Sequence, residues 1–240
     1  MNPTEDSAPP QEAVVDLVVA GAGGGLAGAL RAAEAGLDVL VIEASETFRR
    51  GNNTSMSTAM IPGAGTRWQR DAGVDDSART FLSDVMAKTG GEADPVVADA
   101  LTAFSAELVT WLADGLDLPL ELATDINYPG HSVTRCHTVP SRTGAEMLDH
   151  LVTRARRHPR IDFLMPARLV GVRTHQGRVC TAIAEYPDGS TEEIPTRSLL
   201  LACNGYGADG HAVRELMPEI AEATYHGGEH SRGDALRIGA

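Results

Sequence analysis

Residues 16–43, DLVVAGAGGGLAGALRAAEAGLDVLVIE, leave the backbone few ways to fold. A short apolar run over residues 17–20 has the length and composition of a strand. Gly21, Ala22, Gly23, Gly24 and Gly25 follow. Ala27, Leu30 and residues 33–35 then give an alanine-rich helical pattern that stops at Gly36. A second apolar run, residues 39–42, ends in Glu43 and Ala44. The predicted order is strand, glycine turn, helix, strand, acid.

That order is the one used by dinucleotide-binding βαβ units. Glycines let the backbone turn sharply and let a pyrophosphate approach it, while the first-turn amides and dipole of the helix face the phosphate charge. Glu43, at the end of the second strand, is placed to accept hydrogen bonds from both hydroxyls of an adenosine ribose. A carboxylate there repels a 2′-phosphate, which favours FAD or NAD over NADP. The spacing departs from G-x-G-x-x-G: the third glycine should stand at position 26, which is Leu26, and Gly25 comes one residue early. An ordinary glycine turn between strand and helix is the plainer alternative.

The chain has 240 residues, of which 42% are hydrophobic, enough for a substantial core. Its formal net charge of -13 argues against nucleic acid or an anionic membrane as partner. Cys136, Cys180 and Cys203 have no paired metal spacing, and their odd number does not suggest a disulfide scaffold. A reducing, cytoplasmic setting is expected. Residues 1–12 are acidic and proline-rich and read as a flexible tail; residues 13–240 read as one domain. No uninterrupted apolar run approaches a membrane span, the longest candidate being the glycine-broken stretch above. No G-x-S-x-G elbow occurs, and His226 and His230, separated by glycines, do not form a helical metal pair. No metal ligand is expected.

Beyond Glu43, residues 44–65 lack a clean period and are rich in Gly, Asn, Ser and Thr, as a long functional loop would be. Asn53, Thr54, Ser55 and Ser57 could hydrogen-bond a ligand there. Two helices follow. Asp75 or Asp76 is expected to cap the first, with Phe81, Leu82, Val85 and Met86 on its inner face. Asp94-Pro95 starts the second. In it Val97, Leu101, Phe104, Leu108 and Trp111 recur at spacings of four and three, which predicts a buried stripe. Residues 128–142 break all periodicity and carry His131, Arg135, His137 and Arg142, either an anion site or solvated charge around a helix capped by Thr143 and Glu146. Strands are predicted at 163–172, 179–186 and 191–194, with turns at Gln176-Gly177 and Asp188-Gly189. Residues 199–202 read as a strand buried on both faces of a parallel sheet, followed by Cys203-Asn204-Gly205 where such sheets place ligands. A last helical piece is predicted near residues 213–217.

Several stretches together resemble the flavoprotein subunits of the fumarate reductase and succinate dehydrogenase superfamily, with 3-ketosteroid dehydrogenases and tricarballylate dehydrogenase as more distant relatives. They are the βαβ unit ending in Glu43, RGNNTSMSTAM, RCHTVPSRTGAEML, LLLACNGYG and SRGDALRIGA. The resemblance implies an α/β fold: an FAD-binding, Rossmann-like sheet of the glutathione-reductase type, with a β-meander inserted before the strand at Leu199. It implies that Gly21, Ala22, Gly23, Gly24 and Gly25 form the pyrophosphate turn, and that Glu43 and Ala44 meet the ribose. It gives Asn53, Thr54, Ser55, Thr58 and Ala59 to the loop lining flavin and pyrophosphate. The backbone of Leu169 would meet the adenine, Asn204 and Gly205 would follow the buried strand, and Asp234 would lie near the flavin. The respiratory members tether FAD through a histidine in the loop after the second strand; residues 44–65 contain none, so FAD should be non-covalent.

The resemblance implies hydride transfer between flavin and a carbon–carbon bond next to a carboxylate or ketone, on a dicarboxylate- or ketosteroid-like substrate. Three departures stand out. The turn is one residue short, Asn52 replaces a family glycine, and Cys203-Asn204 replaces the usual Thr-Gly. The chain also matches only the N-terminal half of the family, so the capping domain is expected to be absent and no catalytic residue is assigned. The alternatives are an incomplete nucleotide-binding fragment, self-associating or completed by another chain, and a plain NAD-binding Rossmann protein. The long loop after Glu43 speaks against the last.

Overall fold

The computed structural model describes residues 14–239; the expected tail, residues 1–12, lies outside them. In chain order the elements are β1 (Leu17–Ala20), α1 (Gly25–Glu34), β2 (Val39–Ile42), α2 (Asn53–Met56), β3 (Ile61–Pro62), α3 (Arg67–Asp71), α4 (Ala78–Lys88), α5 (Pro95–Thr110), β4 (Glu121–Leu122) and β5 (Cys136–Thr138). They continue as α6 (Gly144–Arg157), β6 (Ile161–Leu164), β7 (Arg168–His175), β8 (Arg178–Glu185), β9 (Thr191–Pro195), β10 (Leu199–Leu201), α7 (Gly210–Leu216) and α8 (Asp234–Gly239). The chain divides into two compact units, one made of the stretches before Asn53 and after Leu151, the other of Asn53–Leu151.

The first unit is built on a parallel sheet in the order β10-β1-β2-β6, with Val19 opposite Leu200 on one side and Val41 on the other. The β1 run does not alternate because both its faces are covered. On one face α1 packs Leu26, Ala29, Leu30 and Ala33. Val18, Ala20 and Ile42 instead share a buried cluster with Ala167, Leu169, Ala182, Ala184 and Ile194 of the antiparallel meander β7-β8-β9. Each fully buried Val, Leu or Ile here stabilises the fold by roughly 1.5–3 kcal/mol. The meander turns where expected, with Gln176 and Gly177 both at positive φ (51° and 74°), as a two-residue hairpin requires.

Two strand expectations are corrected. Residues 163–172 do not form one strand: β6 ends at Leu164 in the parallel sheet and β7 begins at Arg168 in the meander. Pro166 between them has no N–H to donate to a ladder. The strand at Leu199 is not buried on both faces. β10 pairs with β1 alone among the described residues, and Leu200 is 36% exposed.

The second unit holds the small antiparallel sheet β3-β5-β4 and the packed helices α4 and α5. Residues 44–65, read as a loop, contain the short elements α2 and β3. Asp94 caps α5 as expected, accepting from the Val96 and Val97 N–H groups, with Pro95 in the first turn. The cap of α4 is Ser77, not Asp75 or Asp76. Asp76 is engaged elsewhere: its carboxylate takes the Nε and Nη2 fork of Arg135 at 3.0 Å each. Arg135 also donates Nη1 to Asp84 at 2.6 Å and stacks on the Phe81 ring. The Arg135 and Asp76 side chains are both fully buried. Arg142 pairs with Asp125. Arg135 is thus neither an exposed anion site nor solvated charge, while Arg142 and Asp125 form a surface pair.

The α5 stripe is the largest correction. The buried face is Ala98, Thr102, Ser105 and Val109, while Val97, Leu101 and Phe104 lie exposed. Small inner residues are needed because β3 and the turn after it come very close. A Cβ on Gly63 would stand 2.7 Å from Val109 Cγ2, and the Ala64 N–H donates to Ser105 Oγ at 3.1 Å. The Thr102 hydroxyl donates to the Ala98 carbonyl at 2.9 Å and the Ser105 hydroxyl to Thr102 at 2.8 Å, so both polar groups are satisfied inside. Residues Pro95–Gly115 form a helix long and apolar enough, by length and composition, to cross a membrane, although Asp99, Glu107 and Asp114 interrupt its apolar run. No stretch of that length was expected.

His137 is fully buried in β5, with Nε2 at 2.9 Å from Thr66 Oγ1 and no partner for Nδ1. Burial pushes its pKa down, as it does for the half-buried His131 beside Arg135. A depressed histidine contributes stability that is fully present above the unfolded value, about 6.5, and is lost as pH falls below it. Urea midpoints should therefore decline between pH 7.5 and 5.5, and His137→Gln should flatten that decline. Identical slopes in the two proteins would assign the effect elsewhere.

Candidate functional site

In the first unit the carboxyl ends of β1, β2 and β10 converge. Gly21 leaves β1 at φ 107°, and a Cβ there would lie 2.5 Å from the Ala202 carbonyl oxygen and 3.3 Å from the Cys203 Cα. Only glycine lets these two backbone segments meet so closely. Gly25 opens α1 and sits where a Cβ would meet Val19 Cγ1 at 2.7 Å and Ala202 Cβ at 3.0 Å. It therefore performs the helix–strand packing of a third glycine one residue early. Gly28, not singled out in the sequence, repeats that close approach against Leu200 at 2.5 Å. The helix cap, Gly24, offers no side chain to the first turn of α1, whose Leu26 and Ala27 N–H groups donate to the Gly23 and Gly24 carbonyls at 3.2 Å each.

Glu43 is 9% exposed and bound on both oxygens. The Ala22 N–H of the glycine turn donates to Oε2 and the Ser45 N–H to Oε1, each at 2.9 Å. One donor fixes each oxygen while further acceptor capacity remains, the requirement for gripping a diol. Ala44 continues directly from Glu43 and is half-buried. Asn204 adopts φ 64° after β10, beside Gly205, whose carbonyl accepts the Gly233 N–H at 3.0 Å. That bond draws in Asp234, the first residue of α8. The Asp234 carboxylate is forked by Arg168, from Nε at 2.9 Å and Nη2 at 2.7 Å, and is also met by Arg237 Nη2 at 2.5 Å. Its hydrogen bond raises the pKa of Arg168. Burial first, and then the Asp234 charge, push the Cys203 thiol up, away from thiolate chemistry. The Leu169 side chain belongs to the core, which leaves only its backbone for a ligand.

The remaining expected residues belong to the second unit. There Asn53, Thr54 and Ser55 form α2, followed by Thr58 and by Ala59 at φ 52°. Ser57 Oγ donates to the Thr54 carbonyl at 2.8 Å, and the Ala59 N–H donates back to Ser57 Oγ at 3.2 Å. From the α6 end, the Gly144 N–H donates to the Ser57 carbonyl at 2.8 Å, and Thr138 Oγ1 donates to the Thr58 carbonyl at 3.2 Å. A Cβ on Gly144 would stand 1.8 Å from the Thr54 carbonyl oxygen. Gly144, Thr138 and Arg168 thus hold expected site residues without having been singled out. The Thr143-Gly144 pair opening α6 was the available signal for the first of them.

In the first unit, the geometry of Glu43 and the glycine turn suits the ribose and pyrophosphate of a dinucleotide. Comparison with known proteins identifies which one. The chain is 28% identical over 232 residues to NADH:fumarate oxidoreductase of Klebsiella pneumoniae strain 342, covering 94% of this chain and 24% of that protein. It is 24% identical to Fumarate reductase 1 of Saccharomyces cerevisiae, covering 90% of this chain and 47% of that one. The chain thus spans less than half the length of these curated relatives. Its fold superposes on the open conformation of a flavocytochrome c3 fumarate reductase with a TM-score of 0.86 at 26% identity, over 95% of this chain and 40% of that one. It superposes on the 3-ketosteroid-Δ4-(5α)-dehydrogenase of Rhodococcus jostii RHA1 with a TM-score of 0.79 at 23% identity, over 100% of this chain and 56% of that one. A family described as the FAD binding domain matches residues 16–240, which sets aside the plain NAD-binding alternative, and the chain belongs to that FAD-binding family.

Proposed function

We propose that this chain is the FAD-holding part of an oxidoreductase of the fumarate reductase type. The observation that carries the reading is Glu43, buried, fixed on both oxygens and placed against a glycine turn that meets the strand end at Ala202. In this reading the Glu43 carboxylate accepts the ribose hydroxyls and the first turn of α1 faces the pyrophosphate. Asn204, Gly205 and the Asp234 segment would bound the remainder in the first unit. When bound, FAD supplies hydride exchange with a carbon–carbon bond beside a carboxylate or ketone. The substrate class is a small dicarboxylate or a ketosteroid. The three free cysteines suit a reducing, cytoplasmic setting.

A second reading, a nucleotide-binding fragment that depends on further sequence for catalysis, is favoured by the 24% and 47% coverage of the curated relatives. Both readings require FAD binding, so the test begins there. Purified chain is reconstituted with FAD, then precipitated with acid. Yellow colour should pass to the supernatant, because residues 44–65 offer no histidine for a covalent link. In titrations, Glu43→Ala should weaken FAD by about 1.5–3 kcal/mol, the worth of charged hydrogen bonds. Asn204→Gly, which removes the side chain but keeps the positive-φ backbone, should weaken it less. Equal affinities would remove Glu43 from the ribose. A parent chain that never takes up FAD would remove the proposal.

A further inference from the structure

The parallel strands lie side by side in the order β10-β1-β2, and the carboxyl end of each carries a different part of the candidate site. Glu43 follows β2, the glycine turn follows β1, and Asn204-Gly205 follow β10. On the reading proposed above, the adenosine ribose takes the first of these and the pyrophosphate the second. The next strand end in line is β10, so the flavin half of FAD continues toward the Asn204-Gly205 turn.

That turn is fastened by a short chain of contacts. Gly205 accepts the Gly233 N–H at 3.0 Å, and the Ala208 N–H donates to the Ser231 carbonyl at 3.0 Å. Gly233 precedes Asp234, to which Arg168 donates from Nε at 2.9 Å and Nη2 at 2.7 Å. Arg237 also meets Asp234, but from the same helix, and otherwise reaches Asp209 at 3.6 Å. Arg168 stands on a different element. It opens β7, which pairs with β8 along its length and is anchored by the buried Leu169. Helix α8 has only 6 residues and packs chiefly on β7. The fork therefore joins a fixed strand to a short helix and, through Gly233, to the turn after β10. We propose that Arg168 is a positioning residue for the flavin half of the site. It acts through Asp234, whose carboxylate serves as a staple between β7 and the Asn204-Gly205 turn.

The test compares FAD with ADP, which has the same ribose and pyrophosphate but no flavin. In calorimetric titrations of the full chain, Arg168→Met should weaken FAD roughly 2- to 30-fold, the range over which a packed network transmits a change, and leave ADP unchanged. Asp234→Asn should weaken FAD as well. Direct attraction between Arg168 and the phosphates predicts otherwise: an equal loss of both ligands in Arg168→Met, and tighter binding in Asp234→Asn, which gains positive charge. Arg168→Met/Asp234→Asn should be no weaker than the worse single variant, because both changes break one link. Arg168→Lys keeps the charge without the fork and should fall between Arg168→Met and the parent. In the ligand-free chain, exchange of the Ala208 and Gly233 amides should quicken in Arg168→Met, while residues 18–20 of β1 and 181–184 of β8 keep their protection. A parent that binds neither FAD nor ADP would remove the reading above, and the exchange measurement would still decide the link. The proposal is overturned if those two amides exchange as in the parent, or if Arg168→Met weakens FAD and ADP equally. It is also overturned if Asp234→Asn binds FAD as well as the parent does, or if the two losses add in the double variant.

Discussion

Gly144→Ala should destabilise the second unit by about 3 kcal/mol or more, at or beyond the upper end of ordinary overpacking. The added methyl would fall 1.8 Å from the Thr54 carbonyl oxygen and 2.5 Å from Ser57 Oγ. Relief requires either α6 or the turn at residues 53–59 to move, and movement breaks the Gly144 to Ser57 bond. Gly24→Ala is the control: nothing lies within 4 Å of its Cβ position and its φ of -59° suits any residue. Urea unfolding of both variants decides the matter. A Gly144→Ala protein with the parental midpoint would mean that α6 does not position that turn.

Arg135→Met should cost about 3–5 kcal/mol, the penalty of stranding a buried charge. Its fork is what compensates Asp76, whose side chain has no exposed surface. Gln69 Nε2 at 2.8 Å and the Ser77 N–H at 2.9 Å would remain, two neutral donors in place of a cation. Arg135→Met/Asp76→Leu should recover most of the loss, since replacing both partners by apolar groups is often neutral. A double variant no better than the single one would show that packing, including the stack on Phe81, outweighs the charges. In the parent, burial works against the Asp84 carboxylate, but the Ser132 N–H and hydroxyl and the Arg135 guanidinium together hold it below the ordinary carboxylate range. Its contribution is therefore present above about pH 3.9 and is lost as pH falls through its lower folded value.

The nucleotide-binding half of the fold was legible because its signals are local. Glycine conformations, an apolar run, a helix stop and an acid all fall within residues 16–43, and even the early third glycine proved to be doing a third glycine's packing. Arg135 was misread because its partners stand 59 and 51 residues away, beyond any window. The face of α5 was misread for a different reason. A stripe of Val, Leu and Phe has the same spacing whether it meets the chain's own core or a partner. The true inner face is written in Ala, Thr and Ser, which hydropathy ranks as surface. Gly144 announces itself in the sequence only as the residue after a capping threonine. That it clamps another loop depends on Thr54, ninety residues earlier.

The candidate site of the first unit has two walls of unlike character. At Gly21 and Gly25 the wall is steric, made by backbone contacts that dissolved ions do not alter. At Asp234 it is electrostatic: Arg168 fastens Asp234 of α8, and Arg237, 54% exposed on its side chain, reaches from α8 to Asp209. Raising the salt shortens the screening length, to about 3 Å at 1 M, and loosens the second wall while leaving the first untouched. Ionic strength thus acts as a latch on one side only. Amide exchange at residues 231–239 should quicken with added salt while residues 18–26 keep their protection, so that the C-terminal segment is the door and the glycine turn the doorpost.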